Sequence, residues 1–199
     1  MKLAAILASA AAVALAAPNS LPERNIKDRQ LDLMYPHRTF RYWINTQELK
    51  EDPQDQLLVV KNGNPDDESS CIVTFDFPPE VEGKTCRLVF DLWKDRDHST
   101  GTQTADVFTV IDPPLDDSVS VQTLKQNVAE WRPAHSRDQH QGRVKLPVPG
   151  PAEWIESYHG YPEFPCPAGQ LLGLEYVGAG DRVEVRWDIG VTGPRVQVL

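Results

Sequence analysis

Residues 73–92 read VTFDFPPEVEGKTCRLVFDL. In both halves of this stretch apolar side chains occupy every second position, and two prolines followed by Gly83 separate the halves. Successive side chains of a strand point to opposite faces of a sheet, so this alternation is typical of strands that bury one face. The stretch therefore predicts two strands separated by a turn.

Alternating runs of the same kind recur along the chain, and its 17 prolines discourage long helices. About nine short strands can complete their burial either as two packed sheets or as a closed barrel. We predict a two-sheet antiparallel β-sandwich, jelly-roll-like, with short helical turns; residues Gln122–Trp131 also fit such a turn. The further strands are predicted at Phe40–Ile44, Leu57–Val60, Asp106–Ile111, Val119–Leu124, Arg143–Val148, Leu171–Val177 and Arg182–Asp188.

The N-terminus has the features of a signal peptide. Lys2 supplies a positive charge, an apolar run follows, and Ala14-Leu15-Ala16 fits the small-x-small cleavage pattern. We therefore expect residues 1–16 to be removed and the product to be secreted, a buried first helix being the weaker alternative. We expect residues 17–33 to form a flexible leader and residues 34–199 a single β-sandwich domain.

Charge and hydropathy argue against two classes of partner. The chain has 20 Lys and Arg against 29 Asp and Glu, which gives a formal net charge of −9. Such a surface repels a phosphate backbone, so no nucleic-acid partner is expected. No segment after the N-terminal run is long and apolar enough to span a membrane.

Three cysteines lie beyond the predicted cleavage site, namely Cys71, Cys86 and Cys166. An oxidising compartment favours one disulfide and leaves one thiol over. The spacing leaves all three pairings open.

Four motifs follow one another along the chain: Tyr35-Pro36-His37, Phe75 to Pro78, Gly83 to Phe90, and Phe164 to Gln170. In this combination the chain resembles a fungal secreted-domain family. The family is named after the C-terminal domain of But, a binder of the ubiquitin-like-activating enzyme Uba-three. The resemblance implies an extracellular β-sandwich, whereas the name says little about function, because an exported domain does not meet a cytosolic activating enzyme.

The resemblance also implies a disulfide between Cys86 and Cys166. Closing a loop of about 80 residues stabilises a fold by roughly 4 kcal/mol in the chain-entropy model. Cys71, expected in a turn, is then the free thiol or an intermolecular partner. The sequence departs from the family at Ser99–Thr102 and in a charged insert at residues 131–140.

Signatures of catalysis and of metal binding are weak. No Gly-x-Ser-x-Gly elbow occurs, no local motif nominates a carboxylate pair, and no two of the five histidines have metal-ligand spacing on a helix. Acidic loops at residues 66–68 and 112–117 are a minor alternative as calcium sites. We expect no catalytic residue, metal or cofactor.

Aromatic residues crowd two turn-rich segments. Exposed rings stack on sugars or anchor protein partners, whereas the simpler interpretation is that these rings cover the open end of the sandwich. Trp93 and Trp187 are expected on strands and partly buried. The candidate ligand-binding residues are Trp131, Arg132, Trp154, Tyr158 and Tyr161.

These observations predict an exported, non-catalytic domain that binds the cell wall, a polysaccharide or another protein through its loop aromatics. One alternative is a secreted hydrolase or oxidase that acts on wall polysaccharide. Another is an effector-like protein that binds a host target.

Overall fold

The computed structural model describes residues 32–115 and 137–199 of the chain. Within them the fold is almost entirely β, as the alternation predicts, with one short 3-10 turn at Pro79–Val81. The strands are β1 Leu33–Met34, β2 Arg38–Trp43, β3 Leu49–Glu51, β4 Val59–Lys61, β5 Ser69–Asp76, β6 Thr85–Leu92, β7 His98–Gly101, β8 Thr104–Val110, β9 Arg137–Lys145, β10 Gly150–Pro151, β11 Glu153–Ser157, β12 Glu163–Pro165, β13 Leu171–Ala179, β14 Val183–Arg186 and β15 Gly193–Val198.

The strands form two antiparallel sheets, which confirms the sandwich. The small sheet has five strands in the order β1-β15-β6-β10, and β12 also pairs with β6. The large sheet has ten strands in the order β11-β9-β8-β13-β5-β4-β14-β7, with β2 beside β5 and β3 beside β2. A sheet of this width curls, so its concave side can wrap around the smaller sheet.

The hydrophobic core lies between the sheets. Val73 and Phe75 of the large sheet and Leu88 and Leu92 of the small sheet belong to one buried cluster. These residues are the apolar positions of the two alternating runs, so the sequence period assigns the inner face correctly. Val183, Val185 and Trp187 also lie in this cluster, as their alternation predicts.

Residues 150–165 connect the two sheets along one side. β10 pairs with β6 in the small sheet, β11 crosses to pair with β9 in the large sheet, and β12 returns to β6. The disulfide between Cys86 and Cys166, at a sequence separation of 80, joins β6 to the end of this segment. The predicted pairing is therefore the one that the structure contains.

Three predictions about single residues are wrong, the first being that for Trp187, which lies just beyond β14 and is 3% exposed instead of partly buried on a strand. Cys71 does not lie in a turn, because β5 already begins at Ser69 and the side chain of Cys71 points into the core with no exposure. The thiol is thus free but inaccessible to an intermolecular partner. Trp93 lies beyond the end of β6 and is 46% exposed, because its backbone N–H donates to Asp97 in a turn.

Several boundaries also differ from the sequence prediction. Leu33, at the end of the predicted leader, pairs with Gln197 of β15. The first predicted strand ends at Trp43, which leaves Ile44 exposed. The strand expected at Arg143–Val148 is β9, which begins earlier, at Arg137, and ends at Lys145. The signal peptide, most of the leader, the strand at Val119–Leu124 and the turn at Gln122–Trp131 lie outside the described residues.

No helix in residues 32–115 or 137–199 has the length and apolar character needed to cross a membrane.

Candidate functional site

The structure separates the aromatic residues that the sequence nominates. Trp131 and Arg132 lie outside the described residues. Tyr161 is 6% exposed and stacks on Phe164 with ring centroids 4.7 Å apart, so it belongs to the core and offers no ring face to a ligand. Trp154 packs against the same core, 6.0 Å from Tyr161.

Tyr158 points the other way. Its ring is 43% exposed and lies 5.3 Å from that of His140 on the outer face of the large sheet. The hydroxyl of Tyr158 donates a hydrogen bond of 2.9 Å to Glu156. Among the nominated residues that the structure describes, Tyr158 alone keeps the exposure that ring stacking on a ligand requires.

The strand registers arrange the outer face in rows, because residues opposite each other on neighbouring strands share a face. The first row is Arg38, Thr74, Gly173, Val110 and Arg137. The second row is Phe40, Ile72, Glu175, Phe108 and His140. A third row continues from Val177 through Asp106 and Arg143 to Glu156.

Three arginine–carboxylate ion pairs lie on this face. Arg137 donates from Nε and Nη2 to the two carboxylate oxygens of Glu175, at 2.7 and 2.9 Å. Arg143 donates in the same two-pronged way to Asp106, at 2.7 and 3.0 Å. Arg38 pairs with Glu51 of β3.

In each of these pairs the carboxylate is the more buried partner. The exposed side-chain fractions are 39% for Arg137 against 3% for Glu175, and 37% for Arg143 against 20% for Asp106. For Arg38 and Glu51 they are 40% and 15%. The outer face therefore presents guanidinium groups to solvent, although the chain as a whole is acidic.

Aromatic rings fill the space between the guanidinium groups. The guanidinium carbon of Arg137 lies 5.4 Å from the ring centroid of Phe108, within cation–π range. His140 stacks on Phe108 with centroids 4.7 Å apart, and Tyr158 follows. We call this surface the arginine–aromatic face; its residues are Arg38, Phe108, Arg137, His140, Arg143 and Tyr158.

The pKa values on this face follow from the buried carboxylates beneath the guanidinium groups. Burial lowers the pKa of Arg137, but the hydrogen bonds and the negative charge of Glu175 outweigh it and raise the pKa above its ordinary value. The hydrogen bond and charge of Asp106 raise the pKa of Arg143. Burial, and then the charge of Glu175, raise the pKa of the Tyr42 hydroxyl. Both arginines therefore stay charged at every physiological pH.

A second concave region lies at the far end of the large sheet, where three turns meet. Two adjoining depressions of about 310 and 330 Å³ share Asp55 and Arg186. The first is polar, and the second adds Leu57 and His98. We call this region the turn-end groove; its polar lining residues are Gln54, Asp55, Asp95, Arg96, Arg186 and Asp188.

Neither region contains the elements of a metal centre. Within residues 32–115 and 137–199, no three His, Cys, Asp or Glu side chains come together as metal ligands do. In the acidic loop at residues 66–68, the Asp66 carboxylate accepts from Asn45 and that of Asp67 from Asn64. These two carboxylates are thus engaged within the turn.

The sequence contained one overlooked sign of the arginine–aromatic face. Glu175 stands in the middle of the apolar run Leu171–Val177, and a charged residue at such a position needs a partner when the strand is buried. Its partner, Arg137, is 38 residues away in sequence. The turn-end groove left no comparable sign, because its residues come from three separate turns.

The comparison with protein families agrees with the fold. The family model described as Ubiquitin 3 binding protein But2 C-terminal domain matches residues 47–188. No curated protein sequence matches the chain. The matched range includes β3 to β14, which is part of each sheet, together with the disulfide and Tyr158. Because the match spans well over half of the 199 residues, the chain belongs to the But2 C-terminal domain family.

Proposed function

We propose that this chain is an exported, non-catalytic binding domain whose arginine–aromatic face holds a protein partner that presents carboxylates. The observation that carries the proposal is the burial order of the three ion pairs, in which every carboxylate lies beneath its guanidinium group. A guanidinium that is already oriented by one carboxylate loses little freedom when its remaining N–H groups bind a second acceptor.

Charge complementarity favours an acidic partner. Three guanidinium groups are exposed on this face beside the exposed carboxylate of Glu156, so acidic side chains are attracted to the individual guanidinium groups and not by a net positive charge of the face. Local attraction of this kind raises association rates and selects orientation. Planar guanidinium groups pair in a two-pronged way with carboxylates, which gives geometric selectivity in addition to charge.

The residue types support a protein ligand. Interface positions that dominate binding energy are enriched in Arg, Tyr and other aromatics surrounded by less important contacts. Arg137, Phe108, His140 and Tyr158 form such a group on a rigid sheet. The family description names a binding protein, which is consistent with a binding role here. An effector-like domain would use the same face on a host protein.

Selection from a displayed library of random dodecapeptides tests this proposal. We expect the selected peptides to be rich in Asp and Glu with at least one aromatic residue. Their affinity should fall about tenfold or more in Arg143→Ala and in Tyr158→Ala, as measured by calorimetry. The matched control is Arg182→Ala, which removes an exposed, ion-paired arginine elsewhere on the chain and should leave the affinity unchanged.

Three results would contradict the proposal: selected peptides without acidic enrichment, equal affinity in all variants, or binding of heparin and DNA regardless of sequence with a steep salt dependence.

Export has a test of its own. Expression with the native N-terminus in a secreting host should yield a protein in the medium that begins at Ala17, as read by mass spectrometry. Retention of residues 1–16 in a cytosolic product would overturn this part.

A further inference from the structure

We propose that the turn-end groove is a second binding site and that its ligand is a neutral saccharide. The groove lies where the turns after β3, β6 and β14 converge. The arginine–aromatic face is built on β8 and β9, the residue after β11, and Arg38 of β2, none of which lines the groove, so the two sites are independent. Each depression reaches the lower limit of volume that is usual for small-ligand sites.

The walls of the groove are fixed before any ligand arrives. The buried Asp97 accepts hydrogen bonds from the backbone N–H of Asp188 at 2.9 Å and from the hydroxyl of Thr192 at 2.8 Å. Its other oxygen accepts from the backbone N–H of Trp93 at 2.5 Å. This one carboxylate therefore holds two of the three turns together, and a rigid supporting layer is what a specific binding site requires.

The lining holds three aspartates and two arginines, and four of these five side chains form two ion pairs. Arg96 pairs with Asp188 at 2.6 Å, and Arg186 lies 3.7 Å from Asp55. Arg186 also donates to the backbone oxygen of Arg96 at 2.8 Å, which joins two of the turns a second time. The formal charge of these side chains is −1, which disfavours an anionic ligand, and a ligand with hydroxyl groups can bind to the two ion pairs as they stand.

Hydroxyl groups fit this lining best. A hydroxyl both donates and accepts, so it can donate to the exposed oxygens of Asp55 while accepting from Arg96. The amide of Gln54 offers both functions as well. Leu57 supplies an apolar surface in the second depression, against which the C–H face of a sugar ring can pack. A saccharide combines these hydroxyl and C–H features.

The test uses soluble oligosaccharides of chitin, β-1,3-glucan and cellulose, titrated into the full mature chain by calorimetry. We expect at least one of them to bind, with an affinity that is unchanged between low and half-molar salt, because the ligand is uncharged. Arg96→Ala and Asp55→Asn should each weaken binding about tenfold or more. Arg182→Ala, an arginine variant outside the groove, should bind like the parent chain.

These variants are chosen to fold. Asp55 is 96% exposed and has a φ of 57°, a conformation that Asn also adopts readily. Arg96→Ala keeps the backbone oxygen that Arg186 uses. An unchanged circular-dichroism melt confirms the fold, and unchanged binding of the acidic peptide confirms the other site.

Absence of binding to all three sugars would overturn the inference, as would equal binding by the variants in well-folded protein. Release of reducing sugar that is lost in Asp55→Asn would overturn it too, in favour of a hydrolase. Failure here leaves the peptide selection unaffected, because that experiment depends on Arg143 and Tyr158.

Discussion

The two faces of the large sheet are built on the same strands and are stabilised by different forces. On the inner face Val73, Val107 and Leu174 are fully buried against the small sheet. On the outer face, one residue further along, β8 and β13 carry Phe108 and Glu175. The inner face is held by apolar packing, whereas the outer face combines a small buried apolar cluster of Phe40, Ile72 and Val110 with paired charges and stacked rings.

This difference indicates which face contributes more to stability and which face is available to a partner. Apolar packing removes much surface from water and leaves nothing for a partner to contact. Paired charges add little to stability, since desolvation offsets most of their attraction. The three ion pairs and the exposed rings are therefore the part of this face on which the proposed recognition role rests.

The sharpest comparison of the two faces removes the same side chain from each. Phe75→Ala deletes a fully buried ring from the core and should lower the free energy of unfolding by about 3–5 kcal/mol. Phe108→Ala deletes a ring that is partly exposed and contacts His140 and Arg137, and should cost about 1–2 kcal/mol. Urea unfolding of both variants measures the two values.

The two substitutions remove identical atoms, so each serves as the control for the other. Equal losses would mean that the outer face is as essential to folding as the core. The assignment of the arginine–aromatic face to recognition would then fail.

The second comparison lies within the outer face. Arg137→Ala leaves the carboxylate of Glu175 buried without its cation and should cost about 2–3 kcal/mol. Glu175→Ala should cost about 1–2 kcal/mol, because the Arg137 side chain is 39% exposed and can turn toward water, while the buried Ser70 hydroxyl loses its acceptor. The double variant should cost little more than Glu175→Ala.

The pair of Arg143 and Asp106 provides the control for this asymmetry. Its two side chains are 37% and 20% exposed, so either truncation should cost less than about 1 kcal/mol. Glu175→Ala could instead destabilise the chain more than Arg137→Ala. The guanidinium group would then need its carboxylate more than the carboxylate needs it, and the inferred burial of each carboxylate beneath its guanidinium group would be wrong.

The same contrast explains how far sequence reasoning reached. The inner face was predictable, because Val73, Phe75 and Leu88 follow a period of two that any half-buried strand must show. That period is satisfied by two packed sheets or by a closed barrel, and the structure contains two sheets. The position of Cys71 could not be predicted in this way. Its neighbours Ser69 and Ser70 are typical of turns, but here they lie fully buried in β5.

The candidate sites depend on contacts that no local pattern encodes. Tyr158 and Tyr161 stand three positions apart in one aromatic segment, yet the first points outward and the second into the core. The crossing of residues 150–165 between the sheets sets this division. The turn-end groove needs turns that lie more than 30 residues apart in sequence, from Asp55 to Arg96 and on to Arg186.

The last comparison concerns the Cys71 thiol on the inner face, whose pKa is affected by the charge of Glu175 on the outer face. Burial, and then the charge of Glu175, raise the pKa of the Cys71 thiol well above its ordinary value of 9.0. The native state therefore keeps this proton when the unfolded chain has lost it. Stability should be constant for this group below pH 9.0 and fall by up to about 1.4 kcal/mol per pH unit above it.

Replacing Cys71 should remove the contribution of its thiol to the slope of the free energy of unfolding against pH. Cys71→Ala should show a shallower loss of the free energy of unfolding between pH 9.0 and 10.0, the pH at which ordinary tyrosines begin to contribute. Val73→Ala, on the same strand and the same buried face, is the matched control: it should lower stability equally at every pH and keep the parent slope. Parallel slopes for the parent and Cys71→Ala would mean that the thiol titrates freely in the native state. The inner face at β5 would then be open to water, contrary to its complete burial.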